Sequence, residues 1–131
     1  MIDHMSIRVS DYEKSKAFYV SALAPLGYVV VMEFHRTEIP SLPTAHVLGL
    51  GAGGKPDFWL SPADGPVQPT HVAFRADDRR TVDAFYEAAS AAGGKDNGKP
   101  GLREMYHPSY YGAFVLDPDG YNIEAVCHTP E

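Results

Sequence analysis

Hydrophobic and polar residues alternate in two short stretches of the chain, residues 5–9 (MSIRV) and residues 71–75 (HVAFR). Alternation with a period of two predicts a β-strand that buries one face. After each stretch, apolar residues recur every three or four positions, over residues 18–26 and 82–89, which predicts an amphipathic helix. The apolar face of each strand is therefore expected to pack against the helix that follows it.

The two strand-helix stretches belong to one internal repeat with an offset of 67 residues and no gap. A match of this length predicts that the chain, residues 1–131, is a single domain built from two copies of one module, residues 1–65 and 66–131. The aligned pairs are residues 4–8 with 71–75, Asp11 with Asp78, residues 17–19 with 84–86, and Gly27 with Gly94.

Each module has the predicted order β-α-β-β-β, which makes the fold class α+β. Asp11 and Asp78 (or Asp77) precede the helices as predicted N-caps, and glycines end both helices. A proline-rich linker at residues 62–69 joins the modules. The other predicted strands are residues 28–35, 45–50 and 57–61 in the first module, and 102–107, 112–116 and 121–127 in the second.

Composition and charge argue against several classes of partner. The net charge is −6 and no basic patch is present, so nucleic acid is not expected. No apolar run approaches the roughly 20 residues of a membrane span, and the first residues lack a signal-peptide pattern. The one cysteine, Cys127, cannot form an intramolecular disulfide, which suits a reducing compartment. A cytoplasmic protein with no membrane partner is expected.

Three stretches carry a resemblance to a known family: residues 2–11 (IDHMSIRVSD), 70–75 (THVAFR) and 117–126 (DPDGYNIEAV). With the repeated βαβββ unit, they resemble the glyoxalase/bleomycin resistance/extradiol dioxygenase proteins, the vicinal oxygen chelate superfamily. The resemblance covers essentially the whole chain. It implies that the strands of the two modules form an open, curved mixed sheet around a metal-containing cavity.

The resemblance implies one divalent metal ion, Fe, Mn, Ni or Zn, bound by His4, His71 and Glu124. Trp59 aligns with Glu124, so the first module lacks the carboxylate that many glyoxalase I-like members carry there. Two imidazoles and one carboxylate leave open metal positions, which suits a substrate that chelates through two adjacent oxygens. Open sheet edges and the family habit of pairing lead us to expect a homodimer, formed side by side or by exchange of modules.

The loop at residues 107–111 is expected to lie over the metal. His107 is a candidate acid or base alongside Glu124, because the pKa of histidine lies near neutrality; the alternative is a loop residue fixed by Pro108. Trp59, Tyr110 and Tyr111 are expected to line the substrate pocket.

Further side chains are assigned by position along the strands. Phe114 stands where the dioxygenase signature has a tyrosine, which argues against ring cleavage. Arg8 and Arg75 are expected at solvent or in structural ion pairs; the alternative is that they reach a substrate anion. By alternation, Cys127 belongs to the core, whereas His128 shares the face of Glu124.

The resulting hypothesis is a metal-dependent lyase, isomerase or dioxygenase that acts on a small molecule. Two alternatives remain open. One is a thiol transferase of the fosfomycin-resistance type, which also uses two histidines and one glutamate. The other is a metal-free protein that sequesters a drug or another small aromatic molecule.

Overall fold

The computed structural model describes all 131 residues, and both modules have the β-α-β-β-β order. The helices are α1 (Tyr12–Ala22) and α2 (Arg79–Ala91), and a short 3-10 turn spans Ala24–Leu26. The strands are β1 (Met5–Val9), β2 (Val29–His35), β3 (His46–Gly51), β4 (Phe58–Pro62), β5 (His71–Arg75), β6 (Lys95–Leu102), β7 (Tyr111–Leu116) and β8 (Asn122–Cys127).

Each module forms its own four-stranded mixed sheet. The strand order is β1-β4-β3-β2 in the first sheet and β5-β8-β7-β6 in the second. The first strand of each module runs parallel to the last, and the other neighbours are antiparallel. The predicted two-module α+β architecture is confirmed, and the parallel first and last strands bring residues distant in sequence side by side.

Both helices begin at the predicted aspartates. The Asp11 carboxylate accepts a hydrogen bond from the Lys14 N–H at 3.1 Å, and the Asp78 carboxylate accepts one from the Thr81 N–H at 2.8 Å. These bonds satisfy backbone donors that have no partner within the helix. Neither helix is long and apolar enough to cross a membrane.

The second strand of module 2 lies earlier in the chain than predicted. The sequence favoured residues 102–107, whereas β6 spans Lys95–Leu102 and the segment after it turns back toward β7. β6 contains Gly98, Pro100 and Gly101, which are residues depleted in strands, and its register with β7 shifts twice. Its strand conformation therefore comes from pairing with β7 and not from intrinsic propensity.

The helix-facing sides of the two sheets share one hydrophobic core. The Phe58 ring of β4 lies 5.2 Å from the Phe74 ring of β5, and Tyr28 lies 5.4 Å from the same Phe74 ring. α1 and α2 also contact each other. Burying each large apolar side chain contributes about 1.5–3 kcal/mol. Because the helix-facing sides meet inside the molecule, the opposite sides of the sheets are left open.

The turn at residues 117–120 links module 2 to module 1. The Tyr19 hydroxyl donates to the buried Asp117 carboxylate at 2.5 Å, and the Ser10 N–H donates to Asp119 at 3.0 Å. Directly after the turn, the Tyr121 hydroxyl donates to the Arg8 carbonyl at 2.7 Å. The chain segment that enters β8 is thereby fixed to β1 and α1.

Candidate metal centre

His71 and Glu124 meet on the open side of the second sheet. Their strands run parallel, with His71 opposite Asn122 and Ala73 opposite Glu124. His71 Nε2 lies 2.8 Å from Glu124 Oε1. The Glu124 side chain is 1% exposed, whereas the His71 side chain is 51% exposed. The pair therefore presents one solvent-accessible imidazole beside one carboxylate that the protein shields.

Tyr110 fixes the other oxygen of Glu124. Its hydroxyl donates a hydrogen bond to Glu124 Oε2 from the loop that precedes β7. Burial, together with the neighbouring Glu124 carboxylate, raises the pKa of Tyr110 well above its usual value, so the phenol stays protonated and remains a donor. Phe114 pairs opposite Glu124 on β7 and has no hydroxyl. The hydroxyl beside Glu124 thus comes from Tyr110 on the loop and not from residue 114.

His107 contacts this centre through Tyr110. Its Nδ1 accepts from the Ser109 N–H at 3.1 Å, so the proton of the neutral ring is on Nε2, which lies 2.8 Å from His128 Nδ1. The His107 ring packs edge-on against Tyr110 with 5.5 Å between ring centres. The hydrogen bonds of His107 thus go to Ser109 and His128, and Tyr110 stands between His107 and Glu124.

Tyr111 lies on the other side of its strand from Glu124, which corrects its predicted place in the pocket. Its hydroxyl donates to Asp83 of α2 at 2.7 Å, and the Arg79 guanidinium lies 5.1 Å from its ring centre. Consecutive strand residues point to opposite faces, so Tyr111 faces the helix. Of the two tyrosines, only Tyr110 reaches the centre.

In the first module, Trp59 occupies the position that Glu124 has in the second. Ser6 pairs with Trp59 at the ladder position where Ala73 pairs with Glu124. The indole lies against Gly49 so closely that a Cβ there would be 2.7 Å from the ring. Trp59 lines an open pocket with His4, Ser6, Phe34, Val47, Leu60 and Ser61. This pocket wall is mainly apolar.

His4 does not join His71 and Glu124 within the chain. Its side chain is 57% exposed, and its Nδ1 lies 2.7 Å from Asp3 Oδ1. The hydrogen bond with His4, with help from Lys55, lowers the pKa of Asp3. No three His, Cys, Asp or Glu side chains come together anywhere in the chain to form a metal-binding group. His4 thus belongs to the open face of module 1, and the other two predicted ligands belong to that of module 2.

A sequence model of the Glyoxalase/Bleomycin resistance protein/Dioxygenase superfamily matches residues 1–125. The chain belongs to this superfamily. No curated protein sequence matches the chain significantly.

Solved structures of superfamily proteins share the fold. A glyoxalase/bleomycin resistance protein from Albidiferax ferrireducens T118 is 26% identical, with a TM-score of 0.75 over 97% of this chain and 98% of that one. A glyoxylase/bleomycin resistance protein/dioxygenase domain from Frankia sp. EAN1pec is 17% identical, with a TM-score of 0.74 over 98% of each chain. Glyoxalase I from Zea mays is 23% identical, with a TM-score of 0.70 over 99% of this chain but 45% of its own length.

The donor atoms of this superfamily member fit a divalent metal ion in part. His71 Nε2 and Glu124 Oε1 converge on one another, so the atoms that now share a hydrogen bond are those that would bind a metal. Tyr110 holds the second carboxylate oxygen, as outer hydrogen-bond partners do around metal ligands. Two of the three predicted ligands, His71 and Glu124, therefore lie together in one module, whereas His4 lies apart from them.

Arg8 is held within its own module, since its guanidinium donates to Ser61 at 2.5 Å. Cys127 is a buried free cysteine, as the alternation along β8 predicted. Sequence reasoning missed the direct contact of Tyr110 with Glu124 and the pairing of His107 with His128. The placement of His128 on the face of Glu124 was the one signal that pointed to the second contact.

Proposed function

We propose that the protein is a metal-dependent enzyme of its superfamily whose small substrate offers two adjacent oxygens to one divalent metal ion. His71, Glu124 and His4 are the proposed ligands. The observation that carries the proposal is the Glu124 carboxylate, which is buried at an open sheet face, held by Tyr110 and directed at His71 Nε2. A buried carboxylate has a high desolvation cost, which a cation bound beside it would offset.

His4 is proposed to come from a second copy of the chain. Within one chain the modules pack through their helix-facing sides, so the two ligand-bearing faces do not close on each other. A homodimer that sets module 1 of one chain against module 2 of the other would supply the third ligand. Exposed apolar side chains on the open face of β2, Met32 and Phe34, give such a contact an apolar surface to bury.

The metal, when bound, would act as a Lewis acid that stabilises negative charge on the substrate oxygens. The protein's own contribution is positional. Tyr110 remains protonated and restrains the carboxylate. Trp59 supplies an apolar wall on one side of the pocket. His107 restrains Tyr110 by ring packing, and we propose it as a positioning residue in this assembly.

Mixed dimers test the assignment. His4→Ala and Glu124→Ala chains are each expected to lose metal when purified alone, because every site then lacks one ligand. In a dimer of the two variants, one site lacks both residues and the other is complete. Unfolding and refolding the variants together is therefore expected to restore one metal ion to each mixed dimer, measured by mass spectrometry of the desalted protein.

Failure to restore metal, with mixed dimers verified by an affinity tag on one chain, would rule out a shared site. Full metal occupancy of the Glu124→Ala protein alone would rule out the ligand assignment itself. Light scattering of the wild-type protein is expected to give a dimer at micromolar concentration, and a monomer there would contradict the shared site independently.

A further inference from the structure

Two histidines face each other at the outer end of module 1, on the opposite side of the first sheet from His4 and Trp59. His35 at the end of β2 pairs directly across the ladder with His46 at the start of β3. Their Nδ1 atoms are 2.8 Å apart. Both side chains are partly buried against α1, and the His35 side chain is 28% exposed. The two paired strands thus hold two imidazole nitrogen atoms, both able to act as metal ligands, directed at each other.

A carboxylate lies behind one of the two rings. Glu33 Oε2 is 3.6 Å from His35 Nε2, the ring nitrogen that faces away from His46. The Tyr12 hydroxyl and the Lys16 ammonium each hold Glu33 at 2.8 Å. The Tyr12 ring also stacks on His46 with 4.5 Å between ring centres. Both imidazoles are therefore oriented by neighbours that leave their Nδ1 atoms directed at each other.

We propose that His35 and His46 form a second metal site, separate from the His71–Glu124 centre, that binds one Cu²⁺ or Ni²⁺ ion through the two Nδ1 atoms. Water would fill the remaining positions at this partly exposed site. Imidazole nitrogens suit these ions, and metal-bound histidines characteristically direct the other ring nitrogen at a carboxylate. Glu33 is placed behind His35 for this role at 3.6 Å, an ion-pair distance that is longer than a hydrogen bond. The site would tie the edge strand β2 to β3 beside the loop that joins them.

Imidazole donors favour copper over the neighbouring divalent ions. For a nitrogen site, the affinity rises from Ni²⁺ to Cu²⁺ and falls again at Zn²⁺. The 2.8 Å between the two Nδ1 atoms is the length of a hydrogen bond between rings that meet almost end to end, so a bound ion would replace the shared proton and turn the rings toward itself. Cu²⁺ is therefore the preferred ion.

The fold does not require a histidine pair at this position. Leu102 and Tyr111 occupy the corresponding ladder position of module 2, where they pair without any titratable imidazole. The other close histidine pair, His107 and His128, is built differently, because His107 Nδ1 already accepts from the Ser109 N–H and no carboxylate stands behind the rings. His107 and His128 thus provide an internal comparison.

The test is titration with Cu²⁺ and Ni²⁺ salts in a His4→Ala/Glu124→Gln background. These two changes remove the centre of the proposed function and the histidine near the amino terminus. Calorimetry is expected to show one equivalent of bound ion, with Cu²⁺ bound more tightly than Ni²⁺ or Zn²⁺. Electron paramagnetic resonance of the Cu²⁺ form is expected to show coupling to two nitrogens.

Two variants decide which residues bind. His46→Phe, which keeps a ring under Tyr12, is expected to weaken Cu²⁺ binding by more than about 100-fold and to remove one coupled nitrogen. Glu33→Gln is expected to weaken binding by about 10–100-fold while both coupled nitrogens remain. The matched control, His128→Ala, is expected to leave affinity within about twofold, because distant sites act independently.

Unchanged Cu²⁺ binding in His46→Phe, loss of binding in His128→Ala, or no binding in the background protein would each overturn the proposal. If His46→Phe does not fold, His35→Gln gives the same decision, since it removes the other donor. Circular dichroism without metal identifies a variant that fails to fold.

Discussion

The two modules share one backbone fold and differ in the side chain at the middle of the last strand. Ser6 pairs with Trp59 in the first module where Ala73 pairs with Glu124 in the second. The first copy places a large indole against Gly49, and the second buries a carboxylate. A duplicated backbone therefore does not imply duplicated chemistry. One copy shapes the wall of the pocket, and the other holds the charge.

The largest expected effect of removing the side chains that distinguish the modules is the loss of bound metal in the Glu124→Ala variant. Removing the buried carboxylate takes away the only anionic ligand of the proposed centre, and we expect affinity to fall by about 4 kcal/mol, roughly a thousandfold. Calorimetric titration with Mn²⁺ or Ni²⁺ measures the change. Trp59→Ala at the equivalent position is the matched control and is expected to keep its metal. Equal losses in the two variants would mean that the modules do not divide these roles.

The repeat-equivalent glycines Gly27 and Gly94 are expected to respond differently to alanine. A Cβ at Gly94 would lie 2.3 Å from the Val115 side chain and 2.7 Å from the Ala89 carbonyl oxygen, so overpacking is expected to cost about 3 kcal/mol. Gly27 has open space around it, but its φ of 82° disfavours a side chain by about 1–2 kcal/mol. Urea unfolding measures both changes. A larger loss at Gly27 would contradict the close packing of module 2.

Placing a carboxylate in the first module is expected to make the two modules more alike in function. Trp59→Glu puts an oxygen donor where Gly49 leaves room, and we expect metal binding to tighten by about tenfold, or 1.4 kcal/mol. The wild-type protein is expected to isomerise the methylglyoxal–glutathione hemithioacetal poorly, and the variant to do so faster, in assays with nickel, zinc and manganese.

Trp59→Phe controls for the removal of the indole and is expected to leave isomerisation low. High activity of the wild-type protein with any of the three metals would show that the missing carboxylate is not decisive.

The smallest expected effect is the pH-dependent stability from the α2 cap. The backbone hydrogen bond from Thr81, followed by its hydroxyl, lowers the pKa of Asp78 below its usual 3.8. A lowered folded-state pKa adds stability above the unfolded pKa, and that stability is lost as pH falls through the folded value. The Asp78→Ala variant is therefore expected to have a lower melting temperature than the wild-type protein at pH 7. Below pH 3.8 the two melting temperatures are expected to approach each other.

Asp78→Asn is the control for that measurement, since it keeps an acceptor for the helix but cannot ionise. A difference between Asp78→Ala and wild type that does not change between pH 7 and the acid limit would contradict the assignment.

Most of the helices and strands could be predicted from the sequence because they depend on local patterns. Alternation predicted β1 and β5, and the capping aspartates predicted where both helices begin. β6 could not be placed in this way. Its glycines and Pro100 disfavour a strand, and pairing with β7 overrides that preference. Tertiary contacts of this kind leave no local signal.

The candidate site was predictable where it depends on neighbouring strands. The repeat placed His71 on a first strand and Glu124 on a last strand, and parallel pairing brings the two together. The roles of Tyr110 and Tyr111 depend on a shift of one residue, which reverses the face of a strand. The position of His4 depends on how whole modules pack, which alternation along a strand does not determine.

The hydrogen bonds of the turn at residues 117–120 have a consequence for how the protein unfolds. The strand that carries Glu124 begins directly after this turn, and the partners of the turn, Tyr19 and Ser10, belong to the other module. Detaching module 1 would strip those partners from the turn and uncover the shared core. Heat or urea is therefore expected to melt both modules in one cooperative transition. The boundary between the two repeats in the sequence is not a boundary in thermodynamic stability.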